Sequence, residues 1–283
     1  MFLSVIIATK GRPGALRETL SSLAGQTAPP DEIIVSATEA GDVAEVETSG
    51  RAKVIVGPAG LTVQRNAGIR ALNPAGELVL FLDDDVELAP DYCQELRDFL
   101  RANAGVSGVG GRLLMDGATR QQARHAIQKM VPATDDAAHP VSSLYGCNMA
   151  FRRSAIVDQW FDERLGLYAF LEDYDFFWRV AQQGRLVCRP RMALCHLRSP
   201  SARVSHRAFG FAQVMNPWYL SKKGVINRRQ LWRSHLLVSI AGNLWHLPGD
   251  FVNRWNRLRG NFRALALITR GIVRPEAVRD VRS

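Results

Sequence analysis

The chain has 283 residues, of which 47% are hydrophobic and 22% charged, with a formal net charge of +9. That length permits one large or two small domains with a full core. The composition is ordinary for a globular chain and excludes a fibrous, repetitive or wholly disordered one.

Taken in chain order, "LSVIIAT" (Leu3 to Thr9) is a β-branched apolar run, as a strand buried on both faces requires. "KGRPG" follows as a loop, and "ALRETLSSLAGQ" has helical spacing through Leu16, Leu20 and Leu23. "DEIIVSAT" and "AKVIVGP" read as strands, "LTVQRNAGIRAL" as a helix and "ELVLFLDDD" as a strand. Alternating strands and helices predict a mostly parallel α/β sheet with flanking helices. Ligands in such sheets bind at the carboxyl ends of the strands, where Thr9, Ser36 and Asp83 to Asp85 fall.

A helix opened by Pro90 continues through Leu96 to Leu100, and "GVSGVGGRLLMDG" is Gly-rich with strand character. Ala118 to Pro140 is irregular and polar, and its pattern predicts no element. "LYGCNMAFRRSAI" returns to order. "LEDYDFFWRVAQQG" has helical spacing through Phe176, Phe177 and Val180 and is ended by Gly184. "RLVCRPRMALCHL" is a further strand and turn, and the chain from Arg207 on reads as mostly helical.

The apolar start lacks the basic segment and small-residue cleavage site of a secretory leader, and no run reaches the ~18 apolar residues of a membrane span. The four cysteines form no C-x-x-C pair and read as reduced, mostly core thiols of a cytoplasmic protein.

Three adjacent carboxylates, Asp83, Asp84 and Asp85, close the strand "ELVLFLDDD". A helix cap needs only one Asp. Three together point to a divalent cation, Mn²⁺ or Mg²⁺, whose shell a phosphate-bearing substrate completes. Glu172 and Asp173 open a predicted helix, where the helix dipole favours acids and where a carboxylate can also serve as a general base.

"ATKGRP", "DEIIVSA", "RNAGI" and "GELVLFLDDDVEL", in that order, resemble the nucleotide-binding half of family 2 glycosyltransferases of the GT-A fold. "GCNMAFRR" resembles the family's acceptor-side strand, "FDERLGLYAFLEDYDFFWRVAQQG" its Glu-Asp helix start and "CHLRSPSARVS" its His-bearing strand and loop. The likeness runs from about Ser4 to Ser205.

The resemblance implies a nucleotide-sugar-binding half over residues 1–115, an acceptor-binding half over 116–205 and a C-terminal helical extension over 206–283. It implies Asp85 as direct metal ligand, with Asp83 on the ribose or the metal and Asp84 in a lesser nucleotide-side role. His196 is either a third metal ligand or a core histidine. Thr9, Arg12, Ser36, Arg65 and Asn66 are implied nucleotide contacts, Arg65 through its planar fork. Asn148 and Arg152 are implied on the acceptor side. Asp173, with Glu172 beside it, is implied as the base of a direct, inverting displacement. The family usually carries Asp where Ser36 stands, which leaves the base of the donor open.

From Leu220 to Ser283 there are 13 Lys and Arg against 3 Asp and Glu, leaving 23 against 24 in the remainder. So basic a tail points to an anionic partner. Its Trp, Leu and Phe residues mixed with Arg suit a helix lying in a membrane interface or, alternatively, helices packed on the catalytic domain. No nucleic-acid partner is expected.

The reading is thus an inverting transfer of sugar from a nucleotide-sugar donor to a glycan or lipid-linked acceptor, in the cytoplasm, with the membrane's inner face as one reading of the tail. The alternative is a catalytically inactive module of the same fold that binds nucleotide or tethers partners. A haloacid-dehalogenase-like phosphatase wants Asp-x-Asp-x-Thr on an early strand. A nucleotidyltransferase wants a glycine-richer first loop.

Overall fold

The computed structural model describes residues 1–44, 52–130, 137–167, 170–197 and 205–281. In chain order the first elements are β1 (Leu3–Ala8), α1 (Pro13–Ala24), β2 (Glu32–Ala37), β3 (Ala52–Val56), α2 (Leu61–Arg70), β4 (Leu78–Asp83), β5 (Val86–Leu88) and α3 (Tyr92–Ala102). Then come β6 (Val106–Asp116), α4 (Arg120–Gln128), β7 (His139–Pro140), β8 (Asn148–Arg152), α5 (Arg153–Ile156), α6 (Glu172–Val180) and β9 (Arg185–His196). The last are α7 (His206–Lys222), α8 (Arg228–Gln230), α9 (Leu237–Trp245) and α10 (Phe251–Thr269).

The strands form one sheet in the order β3-β2-β1-β4-β8-β6-β9-β5, with β7 added on β9. β1, β2, β3 and β4 pair in parallel, as expected from their continuous apolar runs. β8 then runs antiparallel to both β4 and β6, and β5 antiparallel to β9, so the sheet as a whole is mixed. Leu3, Val5, Ile7, Leu78, Leu80 and Leu82 are fully buried in one core cluster with Leu16 and Leu23 of α1. Phe81, Phe151 and Phe176 make a trio of edge-to-face contacts, with ring centroids 5.5–6.2 Å apart.

Two compact units emerge from the contacts. One comprises residues 1–59, 63–160 and 176–202, and the other 60–62, 161–175 and 203–283. The expected boundary at residue 205 is therefore crossed. Residues 161–175, with Glu172 and Asp173, belong with the helical tail.

The polar stretch from Ala118 contains α4, which the pattern did not predict. Thr119 caps it, its side chain accepting from the Gln122 N–H while the Gln122 side chain returns to Thr119. Residues 131–136 of that stretch lie outside the described residues. The helix predicted to end at Gly184 ends at Val180. In the tail unit, α7 and α10 cross at Gly210 and Gly260. A Cβ on either would stand 2.1 Å from a backbone carbonyl of the opposite helix.

Candidate active site

The parallel register brings Ala8, Ser36 and Asp83 level at one edge of the sheet. There the three aspartates separate. The Asp84 side chain is fully buried; Thr9 Oγ1 donates to it at 2.6 Å and Arg12 Nη2 pairs with it at 2.5 Å. Burial pushes its carboxyl up to about 7, against the opposing pull of Arg12 and Thr9. Thr19 of α1 donates to the Asp84 carbonyl at 2.9 Å and accepts from the Val86 N–H at 3.1 Å. Asp84 thus fastens the turn and holds Arg12.

Arg12 also reaches Asp85, whose other oxygen, like Asp83, is turned toward His196. Val86 lies opposite His196 in the β5–β9 pairing, which carries the histidine to the same turn. His196 Nε2 is 3.1 Å from Asp85 Oδ1 and 3.5 Å from Asp83 Oδ2. Ligand atoms of Asp83, Asp85 and His196 all lie within 4.8 Å of one another, and among the described residues they form the one such cluster. Burial pulls the imidazole down, but the Asp85 hydrogen bond and the charges of Asp83 and Asp85 outweigh it and lift His196 to about 9. Such a trap of negative charge is what a cation would occupy. Two carboxylates and one imidazole are a donor set that fits Mn²⁺ and admits Mg²⁺.

Asp116, at the end of β6, lies opposite His196 in the β6–β9 pairing. Its Oδ1 is 3.1 Å from His196 Nδ1. A carboxylate on one ring nitrogen fixes the tautomer and aims the other nitrogen at a metal. Sequence reading missed it. The sequence offered an Asp closing a Gly-rich strand; what carries it to His196 is the parallel β6–β9 pairing, nine positions from Val106 to Asp116.

Two arginines line this edge. Arg12 Nη1 pairs with Asp85 at 3.0 Å. Arg65, nearly fully buried, donates to the Gly146 carbonyl at 2.8 Å and lies 3.4 Å from Asp83. Gln64 Nε2 donates to the Thr9 and Ser36 carbonyls at 2.8 and 2.7 Å, tying β1 to β2. Ser36, at the end of β2, and Asn66 of α2 are buried. The loop carrying Arg12 is pinned by Asp42, which accepts from the Gly11, Thr38 and Glu39 N–H groups. Thr9, Arg12, Ser36, Arg65, Asp83, Asp84, Asp85 and His196 are therefore brought together. Gln64, Asp42 and Thr19 join them as supports that no motif signalled.

Asn148 and Arg152 are placed inside the fold. Asn148 exchanges two hydrogen bonds with the Gly111 backbone at 2.9 and 3.0 Å and accepts from the Tyr92 hydroxyl. Arg152 donates to the carbonyls of Leu100, Asn103 and Val106, closing the end of α3. Arg152 is committed to holding backbone, and Asn148 to the Gly111 backbone and the Tyr92 hydroxyl.

Glu172 and Asp173 belong to the tail unit. Leu171, just before them, has φ +70°, and Leu167 has φ +60°. A left-handed leucine is strained and persists only where its surroundings over-determine it. They do so here. Asn216 of α7 donates to the Phe170 carbonyl at 2.8 Å, and Phe170 packs edge-to-face on Phe209. Two residues past Asp173, the buried Asp175 pairs with Lys223 at 2.7 Å, and Lys223 pairs again with Asp162 at 2.8 Å. The first turn of α6 is thereby locked. Tyr168 and Ala169, and residues 198–204 of the expected His-bearing loop, lie outside the described residues.

Several solved structures share this fold. Staphylococcus aureus TarS 1–349 is 18% identical with a TM-score of 0.60, covering 99% of this chain and 87% of that one. The mannosyltransferase PcManGT from Pyrobaculum calidifontis, in complex with GDP-Man and Mn²⁺, is 18% identical with a TM-score of 0.58, covering 95% and 79%. A complex of TarS 1–349 with UDP-GlcNAc gives 15% identity and a TM-score of 0.57, covering 96% and 93%. Against the longer TarS chain, the match covers 78% of this chain and 40% of that one. A comparison with curated protein sequences returned no match. Residues 4–160, more than half of the sequence, match the family described as Glycosyl transferase family 2. With its Asp-rich strand end standing at the carboxyl edge of a GT-A sheet, the chain belongs to glycosyl transferase family 2.

Proposed function

We propose that this glycosyltransferase is metal-dependent and inverting, and that it moves a sugar from a nucleoside-diphosphate donor to a hydroxyl of a glycan or lipid-linked acceptor in cell-surface glycan synthesis. It works in the cytoplasm, at the inner face of the membrane. The observation that carries the reading is the meeting of Asp83, Asp85 and His196 beside Arg12 and Arg65. The nucleotide sugars bound by the structural neighbours, GDP-Man with Mn²⁺ and UDP-GlcNAc, support it.

Asp83, Asp85 and His196 would hold the ion. When bound, Mn²⁺ or Mg²⁺ supplies positive charge against the departing diphosphate. Arg65 and Arg12 add fixed cationic donors that suit phosphate oxygens. Thr9, Ser36 and Asn66 face the nucleoside, and Asp84 acts through Arg12. Asn148 and Arg152 shape the acceptor side through the backbone they hold.

Asp173 takes the proton of the acceptor hydroxyl as its oxygen bonds to the anomeric carbon, with Glu172 as its neighbour. The bond from that carbon to the diphosphate oxygen breaks on the opposite face, so the configuration inverts. Support comes from the strained Leu171, a backbone cost that a structural helix start does not need.

The test is a thermal-shift screen of UDP and GDP sugars with Mn²⁺ and with EDTA, followed by NMR of the product. A ligand at a hundred times its Kd stabilises by about 2.7 kcal/mol. The expected result is a metal-dependent shift and an inverted product. Donor binding indifferent to EDTA, or a retained configuration, overturns the reading.

A further inference from the structure

The helical tail carries most of the exposed apolar surface. Among the described residues, ten of the fourteen exposed large hydrophobic side chains lie beyond Ser205. Five of them, Leu244, Trp245, Phe251, Val252 and Trp255, fall within twelve residues around the turn that joins α9 to α10. Trp245 is 83% exposed, and Phe251 stacks on Trp255 with ring centroids 6.3 Å apart.

The two helices present different outward faces. On α9 the exposed positions are Leu237, Val238, Ala241, Leu244 and Trp245, all apolar. From Ser234 to Gly249 there is no Asp, Glu, Lys or Arg. On α10 the exposed positions mix Phe251, Val252, Trp255 and Phe262 with Arg259 and Arg263.

The inward side carries two buried amides beside Leu258 and Ala264. Asn243 of α9 and Asn261 of α10 are buried and hydrogen-bonded to each other at 3.0 Å. Asn243 also reaches Gln213 at 3.1 Å, and Asn261 the Gly210 carbonyl at 2.6 Å. A hairpin with satisfied amides inside and exposed aromatics outside is patterned for an apolar surrounding on its outer side.

We infer that the α9–α10 turn is a membrane wedge. Leu244, Trp245, Phe251 and Val252 insert into the headgroup and acyl boundary of an anionic bilayer, while Arg259 and Arg263 bind lipid phosphates. This deepens the membrane-face part of the function proposed above, and does not depend on the sugar chemistry. Charge selects the occupant. Thirteen Lys and Arg against three Asp and Glu from Leu220 to Ser283 suit anionic headgroups. Aromatic side chains prefer that interfacial depth. No helix among the described residues is long and apolar enough to cross a membrane, so the hairpin lies in the surface.

The experiment is co-sedimentation of the full chain with vesicles of phosphatidylglycerol in phosphatidylcholine, against phosphatidylcholine alone, at low and raised salt. Binding is expected to the anionic vesicles only, and to weaken with salt. Trp245→Ala with Phe251→Ala is expected to lower partitioning more than about tenfold. Arg259→Gln with Arg263→Gln is expected to lower it by roughly tenfold and to flatten the salt dependence. Both variants are expected to keep the thermal midpoint and the donor-induced thermal shift, because they replace exposed groups. Equal binding to neutral vesicles overturns the inference, as does no binding or wild-type binding by the aromatic variant. A self-associating chain that the aromatic variant renders monomeric, with no vesicle binding, also overturns it and makes the patch an interface between copies. If vesicle binding holds while no nucleotide sugar shifts the midpoint, the transferase reading fails and the wedge stands.

Discussion

The two units of this chain invert the usual placement of charge. In the sheet unit, Asp84, Asp85 and Arg65 are buried and paired at the strand ends, over a core of Val, Ile and Leu. In the tail unit, Trp245, Val252 and Phe251 stand in solvent while Asn243 and Asn261 are buried. Each inversion carries a cost, since an unpaired buried charge and an exposed aromatic both oppose folding. The sheet unit offsets its cost with dense pairing, which fixes oxygens and nitrogens to within hydrogen-bond distances. The tail unit leaves its cost standing. Fixed charge is what catalysis of charge transfer uses, and unrelieved apolar surface is what association uses.

The comparison breaks first if the paired charges prove merely structural. Asp85→Asn keeps the size of the side chain and its capacity to accept from Arg12, but loses its charge as an oxygen ligand. The expected outcome is transfer lowered by more than about 10³-fold, because a missing donor in a preorganised electrostatic site costs 10²–10³ and metal affinity falls as well. Donor-dependent Mn²⁺ binding by calorimetry is expected to disappear with it. Wild-type turnover in the variant, or in EDTA, would show the trio to be an ordinary ion-pair cluster. Next comes Asp173→Asn, expected to lower turnover by ~10²–10⁴-fold while leaving donor and metal binding intact. The double variant with Glu172→Gln is expected to be the less active. Near-normal turnover in single-turnover assays would move the base elsewhere.

Much of the sheet unit was legible because its signals are local. A strand buried on both faces shows as an unbroken apolar run, and β1, β2 and β4 each did. The Asp cluster announced itself because three adjacent like charges need a partner. What escaped was set by pairing distant in sequence. Asp116 and His196 meet across the β6–β9 register, Gln64 bridges two strands, and Thr19 reaches the Asp84 turn from α1. The helix α4 escaped although its capping box stands in the sequence, because its apolar face is a single buried residue, Ala123. Asn148 and Arg152 were placed on the acceptor side by the family resemblance, which carries no sign of the contacts they make here: Asn148 with the Gly111 backbone and the Tyr92 hydroxyl, Arg152 with the carbonyls of Leu100, Asn103 and Val106.

A smaller effect sharpens the role of the missed carboxylate. Asp116→Asn is expected to weaken Mn²⁺ binding by roughly 10–100-fold, the usual loss when a group that orients a ligating histidine is removed. Two-dimensional NMR of the imidazole nitrogens, without metal and at a pH above about 9 where the ring is neutral, is expected to show the tautomer balance shift. An unchanged Mn²⁺ affinity would leave Asp116 as a surface acid near His196.

The smallest expected effect tests the tail unit's own paired charges. Asp162 Oδ2 accepts from the Tyr219 hydroxyl and from Lys223, each at 2.8 Å, and Oδ1 accepts from the Arg164 N–H at 3.1 Å. Burial pushes its carboxyl up, but the Lys223 and Tyr219 hydrogen bonds and the Lys223 charge outweigh it, so the group sits below its usual range. A depressed carboxyl contributes stability that is complete above its unfolded pKa, near ~3.9, and is lost as pH falls through the folded value. Asp162→Asn keeps an acceptor but not the charge, and Lys223 retains Asp175. The variant is expected to be less stable by about 1–2 kcal/mol at neutral pH, the scale of a hydrogen bond to a charged group. That gap is expected to close as the pH is lowered below about 4, where the wild-type carboxyl also loses its charge. Urea denaturation of both chains across that range measures it. A gap that stays constant with pH would mean that Asp162 acts through shape and hydrogen bonding alone, and that in this unit the paired charges, unlike those at the strand ends, do nothing a neutral amide cannot do.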